Sequence, residues 1–220
     1  ISLQPLIKAG AKIQIAEQYQ FQPLHAARLA MVRSGKLGKI TQAQISVAHG
    51  YHGMSLMRKF LGITFDRATI TARSYISPLL TGLDRDGHLP TQEKIEPSKQ
   101  VIASLDFGDK LGIYDFTDDQ YFSWVRTPRM LIRGERGEIN NIQVRYLENF
   151  QTPITFELQR QNAGENGNLE GYYLKGILGG NAWIYQNPFV PGRLSDDEIA
   201  IASCLEHMAH YVEAVSYTHL

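Results

Sequence analysis

The sequence predicts an α+β domain: a large, open, mixed and mostly antiparallel β-sheet with helices packed on one face. Beyond Phe65, short β-branched and aromatic runs follow one another with turn residues between them. The spacing between these runs leaves no room for the helical crossovers that parallel strands require. Helical periodicity is confined to the beginning and the end of the chain.

Composition excludes several classes of partner. The 22 basic residues balance 22 acidic ones, so no net charge favours nucleic acid or an anionic membrane. No apolar run approaches the roughly 20 residues that span a bilayer. The single cysteine, Cys204, cannot form an internal disulfide and fits a reducing compartment. We therefore expect a cytoplasmic protein whose ligands are small molecules or other proteins.

The two ends of the chain differ in character from the rest. Residues 1–19 predict a short helix that runs through Gly10 into a strand over residues 12–19. The last six residues, "VSYTHL" (215–220), resemble translated sequencing adapter, although a genuine tail is the alternative. We therefore divide the chain into the remnant of a preceding domain (1–19), a sheet domain (20–214) and an adapter-derived tail (215–220).

The helical segments alternate with one early strand. Apolar residues at helical spacing predict a helix from about Pro23 to Ser34, with Gly35 as its cap. Alternating apolar residues then predict a half-buried strand, in which His49 points with the apolar set. A short buried helix begins near Met54 and ends at Gly62.

Eight further strands follow, interrupted by one long loop at residues 79–98 that is rich in charge, glycine and proline. The predicted strands are residues 67–75, 99–107, 110–116, 129–133, 138–146, 154–160, 169–177 and 182–185.

The final helix has the best-defined start. Ser195 and Glu198 form an S-x-x-E capping box. An apolar stripe then predicts that the helix lies across one sheet face: Ile201, Leu205, Met208 and Val212. Cys204, His207 and His210 lie beside this stripe, where a solvated helix flank is favoured over a metal site.

The pair His49-x-x-His52 stands where the early strand gives way to a helix. Nothing local supplies the further ligands that a metal site needs, so no metal is predicted. Two interpretations remain: a proton donor or acceptor for a substrate hydroxyl, or two hydrogen-bonded residues that cap the strand and the helix.

Other candidate motifs give weaker evidence of a functional site. The turns "GENGN" (164–168) and "GGNAW" (179–183) lack the order of a phosphate-binding loop. The segment 118–139 concentrates aromatic residues and arginines, including Arg126, which favours packing and arginines that pair with an acid or a ligand.

Four segments resemble the Gfo/Idh/MocA family of NAD(P)-dependent oxidoreductases over nearly the whole chain. The most specific is the first, which runs from a strand through "F-x-P", a helix and "SGKLGKI" into the next strand. The segments are "IAEQYQFQPLHAARLAMVRSGKLGKITQAQISVAHGYHGMSLMRKFLGI", "SWVRTPRMLIRGERGEI", "NGNLEGYYLKGI" and "NPFVPGRLSDDEIAIASCL".

The resemblance implies the C-terminal domain of an oxidoreductase that uses NAD or NADP to oxidise or reduce a CH–OH carbon of a sugar, cyclitol or similar polyol. It implies that His52 assists proton transfer, and that a homo-oligomer forms through the sheet face. It further implies that Gln18 contacts the cofactor and that four residues line the substrate site: His49, Tyr51, Glu17 and Tyr19. Arg126, from the segment rich in arginine and aromatic residues, is a further candidate for contact with the substrate.

Three departures from the family pattern matter. The glycine-rich cofactor motif and the family's usual catalytic lysine would lie upstream of residue 1, so this chain alone is not expected to bind a dinucleotide well. The family often has Asp four residues before the histidine, where this chain has Ala48, and Arg where it has Gln20. The alternatives are therefore a non-catalytic member that serves dimerisation or ligand sensing, and a free-standing β-rich domain.

Overall fold

The computed structural model describes residues 3–164 and 172–213. Within these ranges the helices are α1 (Gln4–Lys8), α2 (Pro23–Arg33), α3 (Gly50–Leu61) and α4 (Asp196–Glu213). The strands are β1 (Ile40–Ser46), β2 (Thr69–Leu80), β3 (Ile95–Asp106), β4 (Leu111–Thr117), β5 (Arg129–Gly134), β6 (Gly137–Asn140), β7 (Gln143–Leu147), β8 (Pro153–Asn162), β9 (Leu174–Gly179) and β10 (Ala182–Gln186).

All ten strands belong to one sheet, in the order β10-β9-β8-β7-β6-β5-β1-β4-β3-β2. Every neighbouring pair is antiparallel except β1 and β4, which are parallel. The predicted α+β class and the mixed, mostly antiparallel sheet are therefore confirmed. The predicted strand 138–146 is instead the hairpin β6–β7, because Asn141 takes a positive φ of 55° and reverses the chain.

Helices α2 and α3 pack on one face of this sheet. Helix α3 contacts β1 and β4, and α2 contacts β9 and β10. The approach of α3 is close, because a Cβ added to Gly112 would lie 2.2 Å from the sulfur of Met57. The largest fully buried side chains lie in this layer and include Phe60, Leu56, Ile45, Met130 and Ile132. As predicted, Gly62 ends α3 in the left-handed conformation.

The predicted strand over residues 12–19 is wrong. Residues 11–18 have no regular structure, and a short 3₁₀ turn, Tyr19–Phe21, follows them. A strand needs a partner strand, whereas this segment is tied by its side chains to α4. Lys12 Nζ donates to the carbonyls of Tyr211 and Val212, at 2.7 and 2.6 Å, and Gln14 Nε2 donates to the Cys204 carbonyl at 3.0 Å.

The prediction for α4 is partly wrong. Its capping box is present, because Glu198 N donates to Ser195 Oγ and Ser195 N donates to Glu198 Oε2. The predicted apolar stripe, however, faces solvent: Leu205 is 67% exposed. The helix packs on the 3₁₀ turn and on α2 rather than across the sheet. Its buried face is made mostly of small residues that allow close approach: Ile199, Ala200, Ser203 and Cys204.

This packing also changes the surroundings of two residues expected on a solvated flank. Cys204 is buried, and the ring of His207 lies 4.8 Å from the ring of Phe21. Among the described helices, none is long and apolar enough to cross a membrane. The predicted tail, 215–220, lies outside the described residues, as does most of the turn at 164–168.

Candidate functional site

The two paired histidines both follow the end of β1, His49 at the start of α3 and His52 inside its first turn. Strand β1 ends at Ser46, so the apolar alternation stops before His49, which is exposed while Ala48 is fully buried. The expectation that His49 points with the apolar set is therefore wrong. His49 is the N-cap residue of α3, and His52, in the first turn, is only 6% exposed. The N–H of Gly50 donates to Tyr114 Oη at 2.8 Å, which fixes the start of the helix on β4.

His52 and Glu17 form a buried pair. His52 Nδ1 lies 2.7 Å from Glu17 Oε2, and the two side chains are 8% and 11% exposed. The other carboxylate oxygen, Oε1, accepts the backbone N–H of Tyr19 at 3.1 Å. A carboxylate accepts hydrogen bonds, so in neutral imidazole the proton lies on Nδ1 and Nε2 is a free base. No described residue forms a hydrogen bond with Nε2.

Two tyrosine rings enclose the imidazole of His52. The ring of Tyr19 stacks on it with centroids 4.2 Å apart, and the ring of Tyr51 lies 4.1 Å away on a tilted plane. Burial raises the pKa of Tyr19 well above its usual range, and the hydrogen bond to Tyr121 raises it further. Tyr19 therefore keeps its hydroxyl proton at neutral pH.

Tyr121 connects His49 to Tyr19. Its hydroxyl oxygen accepts the backbone N–H of His49 at 2.9 Å, lies 2.7 Å from His49 Nδ1, and lies 3.4 Å from Tyr19 Oη. The neighbouring Gln120 holds this turn against the end of β1, because its Nε2 donates to the Ser46 carbonyl at 2.9 Å. Sequence reasoning did not select Tyr121 as a site residue, although it lies within the aromatic segment 118–139.

A groove of about 610 Å³ opens beside the histidine–carboxylate pair. Glu17 and Tyr51 line it at the level of His52, and Arg58 and Lys59 line it farther along α3. Apolar side chains form much of its wall, including Ile13, Phe21 and Met54. A groove of this size, with an apolar wall and a few convergent polar groups, is typical of a small-molecule site.

Five of the seven predicted site residues come together around the ring of His52: His52 itself, Glu17, Tyr19, Tyr51 and His49. Two of them, Glu17 and Tyr51, also line the groove. Gln18 directly precedes the 3₁₀ turn, where its carbonyl accepts the N–H of Phe21. Arg126 lies elsewhere, with Nη2 donating to Ser77 Oγ on β2 at 3.2 Å and its buried Nε without a described partner. No described contact joins Arg126 to the other six.

A second buried histidine lies on α2. His25 Nδ1 accepts a hydrogen bond from Arg28 Nη1 at 3.0 Å, and Arg28 Nε donates to the Asn141 carbonyl at 2.8 Å. Burial, together with the positive charge of Arg28, lowers the pKa of His25 to about 3. His25 is therefore neutral at physiological pH and serves as a hydrogen-bond acceptor.

Acidic and histidine side chains that lie close enough together to share a metal ion occur elsewhere among the described residues. They are Asp84, Asp86 and His88, all exposed in the loop between β2 and β3. His88 Nδ1 is already within 2.8 Å of Asp84 Oδ2, so these groups satisfy one another.

Neither a protein-family model nor a curated protein matches the chain. Solved structures do. Levoglucosan dehydrogenase, in complex with NADH and levoglucosan, is 11% identical with a TM-score of 0.51, over 96% of this chain and 60% of that one. The transcriptional regulator Gal80p from Kluyveromyces lactis is 13% identical with a TM-score of 0.50, over 95% of this chain and 54% of that one.

A putative myo-inositol dehydrogenase from Sinorhizobium meliloti 1021 is also 13% identical, with a TM-score of 0.47, over 98% of this chain and 59% of that one. The chain thus spans less than two thirds of the length of each of these structures. At these identities the likeness to levoglucosan dehydrogenase and to Gal80p establishes a shared fold.

Proposed function

We propose that this chain is the substrate-side domain of an NAD(P)-dependent oxidoreductase that acts on a CH–OH carbon of a sugar, cyclitol or related small polyol. The observation that carries the proposal is the buried His52–Glu17 pair beside a groove, with Nε2 of His52 unengaged. The fold shared with levoglucosan dehydrogenase supports it. The free buried thiol of Cys204 supports a cytoplasmic location.

The chain's own residues suit the proton transfer in such a reaction. Oxidation of a CH–OH group releases one proton from the hydroxyl, and Nε2 of His52 is the base that would accept it. Glu17, on Nδ1, would stabilise the imidazolium that forms. Tyr51 and the exposed His49 would contact the other hydroxyl groups of the substrate.

The described residues do not themselves fit a dinucleotide. They contain no strand, glycine-rich turn and helix in the order that holds a pyrophosphate. In the proposal, a preceding nucleotide-binding domain supplies the nicotinamide, and Gln18 lies where the two domains meet.

Glu17 resolves one departure from the family pattern. Ala48, at the position where the resemblance implies Asp, is fully buried and offers no carboxylate. The carboxylate that contacts His52 comes instead from Glu17, in the segment before the 3₁₀ turn. A histidine–carboxylate pair is therefore kept, which favours retained catalysis.

A non-catalytic ligand sensor is the second candidate. The limited exposure of His52, the residues Ala48 and Gln20, and the fold shared with the regulator Gal80p favour it. In either case we propose a homo-oligomer through the open sheet face, where Gln44, Leu131 and Ile113 pair across β5, β1 and β4. Light scattering of the purified chain tests this: a dimer or larger oligomer supports it and a monomer contradicts it.

The test of catalysis uses the longer protein encoded by the source gene and a panel of polyols. We expect polyol-dependent reduction of NAD or NADP. The variant His52→Ala should lower turnover by about 10²- to 10⁴-fold, because it removes a general base. The matched control is His88→Ala, in an exposed loop, which should leave turnover unchanged. Tight polyol binding without any cofactor reduction would instead support the sensor.

A further inference from the structure

The groove beside His52 follows one side of α3. Tyr51, Ser55 and the pair Arg58 and Lys59 line it at successive helical turns. At 1.5 Å per residue, Lys59 lies about 10 Å farther along the helix axis than His52. The groove therefore has one end lined by Glu17, the partner of His52, and a basic end, separated by about the length of a small sugar derivative.

The basic end holds positive charge that no described acid neutralises. None of the ion pairs between described residues includes Arg58 or Lys59. Arg58 Nη2 donates to the carbonyl of Thr64, which carries no charge. Burial lowers the pKa of Lys59, and the nearby charges of Arg33 and Arg58 lower it further. Lys59 therefore has two cationic neighbours, Arg58 beside it in the groove wall and Arg33 outside the lining.

The helix dipole explains only part of this arrangement. Cations in the last turn of a helix are favoured by its dipole, and Arg58 and Lys59 lie in the last turn of α3. Arg33 likewise lies in the last turn of α2, so each cation is favoured by the dipole of its own helix, but the dipoles do not remove the repulsion between Lys59 and its two cationic neighbours. An anion in the groove would relieve the repulsion.

Between the two ends, the lining suits a ligand that carries hydroxyl groups. The hydroxyls of Tyr51 and Ser55 have no hydrogen-bond partner among the described residues, and both side chains border the groove. Met54 and Phe21 supply apolar surface on which a sugar ring can pack.

We propose that the groove takes an anionic polyol, a sugar acid or a sugar phosphate, with its anionic group between Arg58 and Lys59. The placement of its reacting hydroxyl at His52 and Glu17 rests on the function proposed above. Binding of the anionic group does not depend on that function, because it is inferred from the cations and the groove alone.

Calorimetric titration of the 220-residue chain at low ionic strength tests the proposal, with D-glucose 6-phosphate, D-glucuronate and D-glucose as probes. We expect at least one charged sugar to bind about 10-fold or more tightly than glucose, with the difference shrinking as salt is added. Comparison of the two charged sugars identifies phosphate or carboxylate as the preferred anion. Equal affinity for all three probes, or binding of none, overturns the proposal.

Variants of Arg58 and Lys59 test whether these two residues cause the preference for a charged sugar. The double variant Arg58→Gln/Lys59→Gln should lose the preference for the charged sugar, whereas Arg58→Lys/Lys59→Arg should keep most of it. The matched control is Lys36→Gln, which removes an exposed lysine that lines a different cavity. If the preference survives in Arg58→Gln/Lys59→Gln, verified as folded by circular dichroism, the proposal is wrong. Equal binding of inorganic phosphate and glucose 6-phosphate would also overturn it, because the sugar would then contribute nothing.

The two proposals can fail separately. If the charged sugar binds through Arg58 and Lys59 but the longer protein turns over no polyol, the anion site stands and the enzymatic function falls. If the longer protein oxidises neutral polyols through His52 while the preference is absent, the function stands and the anion site falls.

Discussion

Two buried histidines in this protein have similar exposure and opposite partners. His25 on α2 is 7% exposed and His52 on α3 is 6% exposed. His25 Nδ1 accepts from the guanidinium of Arg28, whereas His52 Nδ1 faces the carboxylate of Glu17. The first ring is therefore fixed as an acceptor on Nδ1, and the second is fixed as a donor on the same atom.

The difference shows that burial alone does not decide what a buried histidine can do, because the partner selects which ring nitrogen carries the proton. Burial, and then the charge of Arg28, keeps His25 neutral, and its Nδ1 lone pair accepts from Arg28. In neutral imidazole the Nδ1–H of His52 donates to Glu17, which leaves the lone pair on Nε2. A groove borders the second pair at Glu17. Of the two pairs, only His52 and Glu17 are thus suited to proton transfer.

Of the two partners, Glu17 should have the larger effect on turnover when it is replaced. In the oxidoreductase proposed above, Glu17→Gln should lower turnover by about 10- to 100-fold, because a charge-assisted hydrogen bond of roughly 1.5–3 kcal/mol is lost. Glu17→Asp, which keeps the charge, should recover part of the rate. Steady-state kinetics measures both. Equal rates in wild type and Glu17→Gln would mean that Glu17 does not act through His52.

The pair of His25 and Arg28 on α2 should make the free energy of unfolding depend on pH. The folded state holds His25 neutral down to a pKa of about 3, while the unfolded chain takes up the proton near pH 6.5. The stabilisation from His25 is thus complete above pH 6.5. It is lost as pH falls, at about 1.4 kcal/mol per pH unit.

Urea unfolding between pH 7 and about pH 4.5 measures this slope before most carboxylates titrate. The variant His25→Gln offers Arg28 an amide oxygen without a titrating ring, so its slope should be shallower by about one proton. Parallel slopes in the two proteins would contradict a neutral, buried His25.

The smallest effect is expected at Tyr121, which holds His49, the exposed residue next to the His52–Glu17 pair. Tyr121→Phe removes the hydroxyl that contacts the backbone N–H and the ring Nδ1 of His49 but keeps the ring. The free energy of unfolding should fall by about 1 kcal/mol, the usual contribution of such hydrogen bonds. The control is Tyr75→Phe on β2, half exposed, which should change stability by less. Equal changes would remove Tyr121 from the site.

Local patterns in the sequence predict most of the sheet and the helices that cover it. Alternation and helical spacing depend on which residues are apolar, and burial follows the same alternation in β4 and in β7. Prediction failed where packing decided the outcome. In α4 the small side chains Ala200 and Ser203 face inward, although the larger Leu205 makes the more obvious apolar stripe. Residues 12–19 look like a strand, but a strand also requires a neighbour.

The sequence indicated only part of the candidate site. The junction of strand and helix drew attention to His49 and His52, whereas Glu17 came from the family resemblance, and its contact with His52 joins positions 35 residues apart. Tyr121 was missed because it reaches His49 from 72 residues away, across the parallel pairing of β1 and β4. No local pattern encodes such a contact. The cations at the end of α3 were likewise invisible as a cluster, because Arg33 belongs to another helix.

The role of His52 is tested most directly by the protonation of its ring, measured by nitrogen-15 NMR of histidine-labelled protein above neutral pH. His52→Gln assigns the resonances, and Glu17→Gln perturbs them. We expect a protonated Nδ1 and an unprotonated Nε2, with the tautomers redistributing in Glu17→Gln. A proton on Nε2 in the unmodified protein would contradict that role, because His52 would then present no free base to a substrate.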